Sequence, residues 1–93
     1  MDTLTPEQVD AELAATPGWS LANGQITTTM TRKDFRDALL FVNAIGYLAE
    51  RASHHPDISI IGWNKVTLAL STHSAGGLTT QDFSLARQIN DLG

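Results

Sequence analysis

Cysteine is missing from the 93 residues, and with it go disulfides, thiolate metal ligands and a cysteine nucleophile; a reducing cytosol is compatible with such a chain. Basic residues are scarce. Six Lys and Arg stand against ten Asp and Glu, for a net charge of -4, and Arg32-Lys33 is the only adjacent basic pair, so the clustered cations that hold a phosphate backbone are lacking. No apolar run approaches the ~20 residues of a membrane-spanning helix. Met1-Asp2-Thr3-Leu4-Thr5-Pro6-Glu7 lacks the basic and apolar regions of an export signal. We therefore expect one cytoplasmic domain over residues 1–93, with no nucleic-acid or membrane partner and with small molecules or other proteins as ligands. A domain of this size buries only roughly 60–65% of the surface its unfolded chain exposes, so association is expected to add stability.

Three prolines punctuate the chain. Thr5-Pro6-Glu7-Gln8 predicts a helix start in which Thr5 caps, Pro6 takes the first helical position and Gln8 reaches back to the cap, with Leu4 and Val9 as a hydrophobic staple. Val9, Leu13 and Ala14 face the core until Thr16-Pro17-Gly18 ends the helix. Trp19, a core residue, and Leu21 alternate with polar residues up to Asn23-Gly24, a dipeptide suited to a two-residue hairpin turn. In the following strand Ile26, Thr28 and Met30 share one face, and Gln25, Thr27, Thr29 and Thr31 line the other.

Asp34 caps the next helix, with Asp37 in its first turn. Phe35, Ala38, Leu39, Val42, Ile45, Ala49 and Ala52 recur at three- and four-residue steps and predict its core face. Leu40, Phe41, Tyr47 and Leu48 spread onto a neighbouring face, which predicts subunit contact. Pro56 disfavours helical geometry at His55, so the helix should finish near Ser53 or His54. Ile58, Ile60 and Ile61 predict a third strand, Gly62-Trp63-Asn64 a break, and Val66, Leu68 and Leu70 a fourth. Ser74-Ala75-Gly76-Gly77 reads as a flexible loop. Thr79 and Asp82 repeat the capping pattern, with Leu78 and Phe83 as staple, ahead of a closing helix carrying Phe83, Ala86, Ile89 and Leu92. The order α-β-β-α-β-β-α predicts an α+β fold, a four-stranded antiparallel sheet with helices packed on one face.

All three histidines fall at the junctions of these elements: His54 and His55 after the long helix, His73 after the last strand. Imidazole gives and takes protons near neutrality, so this is a candidate acid/base set; helix-end histidines with no catalytic role are the bland alternative. A three-histidine metal site is disfavoured, because the extended chain before Pro56 sends consecutive side chains apart.

Glu50, His54-His55-Pro56, Trp63, His73 and Asp82, seven positions in fixed spacing, resemble the signature of the pterin-4a-carbinolamine dehydratases, and the element order and length match along the whole chain. The resemblance implies a saddle-like sheet, association as a homodimer or homotetramer, and no metal and no organic cofactor. It implies dehydration of 4a-hydroxytetrahydrobiopterin to quinonoid dihydrobiopterin plus water, the step that recycles the tetrahydropterin of aromatic amino-acid hydroxylases. His54 and His73 are then the acid/base pair, with His55 catalytic through positioning of the ring. Glu50, Ser53, Pro56, Trp63, Ser71, Thr72, Ser74 and Asp82 form the substrate-binding surround. Within it Glu50 orients or charge-balances a histidine one turn on. Ser71, Thr72 and Ser74 either meet the polar edge of a pterin or merely finish a strand. Asp82 is either a site residue or only a helix cap, and Trp63 either walls the pocket or plugs the core.

Two departures accompany the resemblance. Ser53 stands where some members have aspartate, and the segment from Pro56 to Trp63 is the longer of the family's spacings, which predicts a β-bulge. A non-catalytic dimerisation or assembly-factor module on the same fold is the competing reading; it gives no reason to keep all three histidines.

Overall fold

The structure is a computed structural model and describes residues 2–93. Helix α1 (Pro6–Ala14) opens on the expected cap: Thr5 Oγ1 accepts from the Gln8 backbone N–H and Gln8 Oε1 accepts from that of Thr5. Strands β1 (Ser20–Ala22) and β2 (Gln25–Thr31) close over Asn23-Gly24, where φ is 53° and 76°. These positive values are those a two-residue hairpin turn requires and that Asn and Gly tolerate. Helix α2 (Phe35–Ala52) follows, then strands β3 (Asp57–Ile61) and β4 (Lys65–Leu70), a 3₁₀ turn over His73–Ala75, and helix α3 (Thr80–Asp91).

The four strands form one antiparallel sheet in the order β1-β2-β4-β3. The two hairpins meet through the central β2–β4 pair, which sets Ile26 opposite Leu70 and Met30 opposite Val66. Because side chains alternate along a strand, Ile26, Thr28, Val66, Leu68 and Leu70 all turn to one face and are buried there. The helices cover that face, and Ile45, Phe83, Leu85, Ala86 and Ile89 complete the core. Thr27, Thr29, Thr67 and Ala69 line the face with no helix on it. Trp19 is buried as expected, its Nε1–H donating to Asn90 Oδ1 at 3.0 Å.

Four expectations need correction. The buried stripe of α2 is Ala38, Phe41, Ile45 and Ala49, so Phe41 (5% exposed) lies inside while Phe35 (51%) and Leu39 lie outside. The same three- and four-residue spacing fits either rotation of the helix, and the one that takes the Phe41 ring inward is adopted. No bulge interrupts β3: residues Asp57 to Ile61 pair one-to-one with Ala69 to Lys65. The extra residue is absorbed by the turn Gly62-Trp63-Asn64, with φ of 57° at Gly62 and 65° at Trp63. Third, the glycine-rich segment is a closed turn, with the backbone N–H of Thr72 donating to Gly77 O at 3.0 Å and that of Gly76 to Thr72 O at 3.0 Å. Fourth, Trp63 is 61% exposed and so fills no core. Among the described residues, no helix is long and apolar enough to cross a membrane.

Candidate active site

One end of the sheet collects the chain ends that carry the histidines. Asp57 pairs with Ala69, so continuing that register brings His55 level with Ser71 and His54 level with Thr72. Alternation then turns His54 and Thr72 toward the helices, while His55 and Ser71 turn toward the uncovered side. Helix α2 stops at Ala52 because Ser53 takes a left-handed conformation (φ 50°, ψ 42°), and the His54 backbone N–H then caps Ala49 O at 3.0 Å. This reversal folds His54 back under the helix.

His54 is 8% exposed and its Nε2 lies 2.5 Å from Oδ1 of Asp82, which is wholly buried. Asp82 is the third residue of α3, and its other oxygen serves the start of that helix: Oδ2 accepts from the Thr79 backbone N–H at 2.9 Å. Oδ2 also accepts from Thr72 Oγ1 at 2.8 Å, and Thr72 Oγ1 pairs with Thr79 Oγ1 at 2.9 Å. One carboxylate therefore caps a helix, ties the end of β4 to it and holds a histidine. Burial of so polar a cluster is tolerable only because each group has its partners. Every fully buried side-chain N or O atom among the described residues is hydrogen-bonded. Nε2 is thus the anchored ring nitrogen of His54, and Nδ1 is the one with no protein partner among the described residues.

His55 points outward and its Nε2 meets Glu50 Oε2 at 2.8 Å, both side chains being exposed. Glu50 therefore partners His55, five residues on, and not His54, because the left-handed turn at Ser53 breaks the helical spacing that would have placed His54 above it. Ser53 is exposed at that turn and Pro56 is half-buried after it. His73 opens the 3₁₀ turn and lines a cleft of about 380 Å³ with Ser71, Asn23, Gly24, Gln25, Gly76 and Gly77. That volume lies in the range of small-molecule sites, ~300–1,000 Å³. Ser74 is exposed on the same turn.

The expected site is thus split. His73 and Ser71 line the cleft, while His54 sits behind it and is joined to it through Asp82 and Thr72. The polar side-chain atoms of Asp82 and Thr72 have their hydrogen-bond partners inside the protein. Trp63 tops the β3–β4 turn, at the opposite end of a hairpin that spans roughly 17 Å at about 3.4 Å per residue, so within this chain it lies apart from the His73 cleft. Sequence reasoning missed Asn23, Gly24 and Gln25 as cleft residues, and Thr79 as more than a cap. The Asn-Gly turn was visible; its position beside His73 depends on the β2–β4 pairing, which joins distant segments. No group of three His, Asp or Glu among the described residues is arranged to hold a metal ion.

This geometry offers an imidazole with one nitrogen anchored and one free, and a second imidazole at the mouth of a cleft. Such an arrangement can move protons to and from a bound molecule. A model of the family described as pterin 4 alpha carbinolamine dehydratase matches residues 2–92. A protein of Thermosynechococcus vestitus named "Putative pterin-4-alpha-carbinolamine dehydratase" is 44% identical over 91 residues, covering 98% of this chain and 95% of its own. A protein of the same name from Chloroflexus aurantiacus is 46% identical over 92 residues, covering 99% of this chain and 98% of its own. A crystal structure described as a transcriptional coactivator/pterin dehydratase from Brucella melitensis superposes with a TM-score of 0.92 at 32% identity, covering 98% of each chain. A pterin dehydratase-like protein described as a RuBisCO assembly factor shares the fold alone, with a TM-score of 0.63 and 17% identity over 80% of this chain and 84% of its own. The strand order, the histidine signature and these matches along the whole length make this chain a member of the pterin 4 alpha carbinolamine dehydratase family.

Proposed function

We propose that this protein dehydrates 4a-hydroxytetrahydropterins, with His54 and His73 as the acid/base groups and with no metal or organic cofactor. Its class, a dehydratase, follows from the family. In the reaction the C4a–O bond breaks and the hydroxyl leaves as water after gaining a proton. The N5–H proton is lost, and its electron pair becomes the new bond to C4a. One group must donate and another accept, which suits imidazoles at neutral pH. The observation that carries this reading is His54 anchored through Nε2 on buried Asp82, with Nδ1 left open, at the sheet end that holds the His73 cleft.

His55 and Glu50 flank this end and would orient the flat ring from the uncovered side. A module used only for binding gives no reason to bury a histidine–carboxylate pair, which supports the enzyme over the assembly-factor reading. The product is the quinonoid dihydropterin, so the step would return oxidised pterin to the cycle that regenerates the tetrahydropterin. The protein would work as a homodimer or homotetramer, a reading supported by the exposed apolar side chains of α2.

The test follows ultraviolet absorbance of the carbinolamine, generated in place by a pterin-dependent hydroxylase. We expect the wild-type protein to speed its loss, and His54→Ala and His73→Ala each to lower kcat by ~10²–10⁴-fold, the usual contribution of general acid/base catalysis. Wild-type protein no faster than buffer would overturn the proposal.

A further inference from the structure

We infer that Thr72 is a positioning residue: with Thr79 it sets the direction of the Asp82 carboxylate, which holds His54 as its Nε2–H tautomer and leaves Nδ1 as the atom that exchanges the proton. The effect on turnover rests on the acid/base reading above. The tautomer itself does not.

A backbone N–H can only donate, so the Thr79 amide gives its proton to Asp82 Oδ2 at 2.9 Å. Thr72 has one hydroxyl proton and gives it to the same oxygen at 2.8 Å. With that proton spent, Thr72 Oγ1 is an acceptor for the hydroxyl of Thr79, 2.9 Å away. Thr79 Oγ1 in turn accepts from the Gln81 backbone N–H at 3.3 Å. Every proton in the chain has one direction. The two donors at Oδ2 turn Oδ1 toward His54, and an ionised carboxylate has no proton to give, so the proton between them belongs to Nε2. Nδ1 then carries the lone pair, and it is the ring nitrogen with no protein partner among the described residues. Thr72 also immediately precedes His73, so the hydrogen bond that orients one imidazole anchors the strand end bearing the other.

The inference is tested by nitrogen NMR of the histidine-labelled protein near pH 8. The wild type should show His54 with a bare Nδ1 and a protonated Nε2. In Asp82→Asn the amide oxygen must stay with the Thr72 and Thr79 donors, which turns the amide N–H onto Nε2. His54 should therefore switch to the Nδ1–H tautomer, and kcat should fall ~10²–10⁴-fold. Thr72→Val, which removes one of the two donors at Oδ2, should give a mixture of tautomers and lower kcat roughly tenfold, as for a lost hydrogen bond to a charged group, with KM unchanged. Thr72→Ser should restore both, and it decides the matter together with Asp82→Asn if the valine variant does not fold. A wild-type His54 protonated on Nδ1, or a folded Thr72→Val with wild-type tautomer and kcat, would overturn the inference. A wild type with protonated Nε2 but no dehydratase activity would support the tautomer assignment and overturn the proposed reaction.

Discussion

Asp37 shows how a single carboxylate makes this fold sensitive to acid. Its Oδ2 accepts the Lys33 backbone N–H at 3.0 Å and Arg32 Nε at 3.2 Å, and its Oδ1 accepts Arg32 Nη2 at 3.3 Å. The Lys33 amide first, and the Arg32 guanidinium second, hold the carboxyl below its ordinary value of 3.8. A folded-state value below the unfolded one means that the stabilisation is fully present above about pH 3.8 and is lost as the pH falls further through the folded value. We predict that Asp37→Asn lowers the urea midpoint at pH 6 and that the two proteins converge near pH 2. The pair is partly exposed, so added salt should narrow the difference at pH 6. At this scale the sequence made the histidines conspicuous but not their directions. His54 and His55 are neighbours in the chain, yet one turns inward to Asp82 and the other outward to Glu50, because Ser53 adopts a left-handed turn that no local pattern announces.

At the scale of elements, both capping boxes were legible, since Thr followed three residues later by Gln or Asp satisfies helix-end amides that have no other partner. They are not equal in weight. Thr79 is fully buried and hydrogen-bonded to Thr72, whereas Thr5 is exposed. Thr79→Ala should cost about 1–2 kcal/mol and Thr5→Ala about 0.5–1 kcal/mol, read from urea unfolding. The β3–β4 turn was legible as a break but not in its shape. Asn64 N–H donates to Gly62 O at 2.9 Å across Trp63, whose φ is 65°, a conformation that strains a bulky side chain. Trp63→Gly should therefore leave the melting temperature unchanged or raise it. It should keep kcat within about twofold, because an interaction that is not made in the transition state does not alter turnover. A collapse of activity in this variant would mean that the indole serves a site across a subunit boundary.

The whole molecule has an uneven surface. Helices cover one side of the sheet, while Leu39, Leu40 and Tyr47 on α2 are exposed, with Leu40 and Tyr47 about two turns apart on the same side of the helix. We predict concentration-dependent association in light scattering, with Leu40→Glu combined with Tyr47→Glu shifting the population to monomer. An unchanged mass in that variant would move the contact elsewhere. Fold class and element order could be read from periodicity and turn residues, because those are local. The strand order could not, since it depends on β2 finding β4 across the whole of α2 and β3. That pairing has a temporal consequence. Each outer hairpin closes over a short turn and can form quickly, but Gln25 and Ser71 come together only when Ile26 has met Leu70, a distant and therefore slow contact. During refolding, the helical and hairpin signals should recover before the cleft can hold any ligand, so function will be the last property the polypeptide regains.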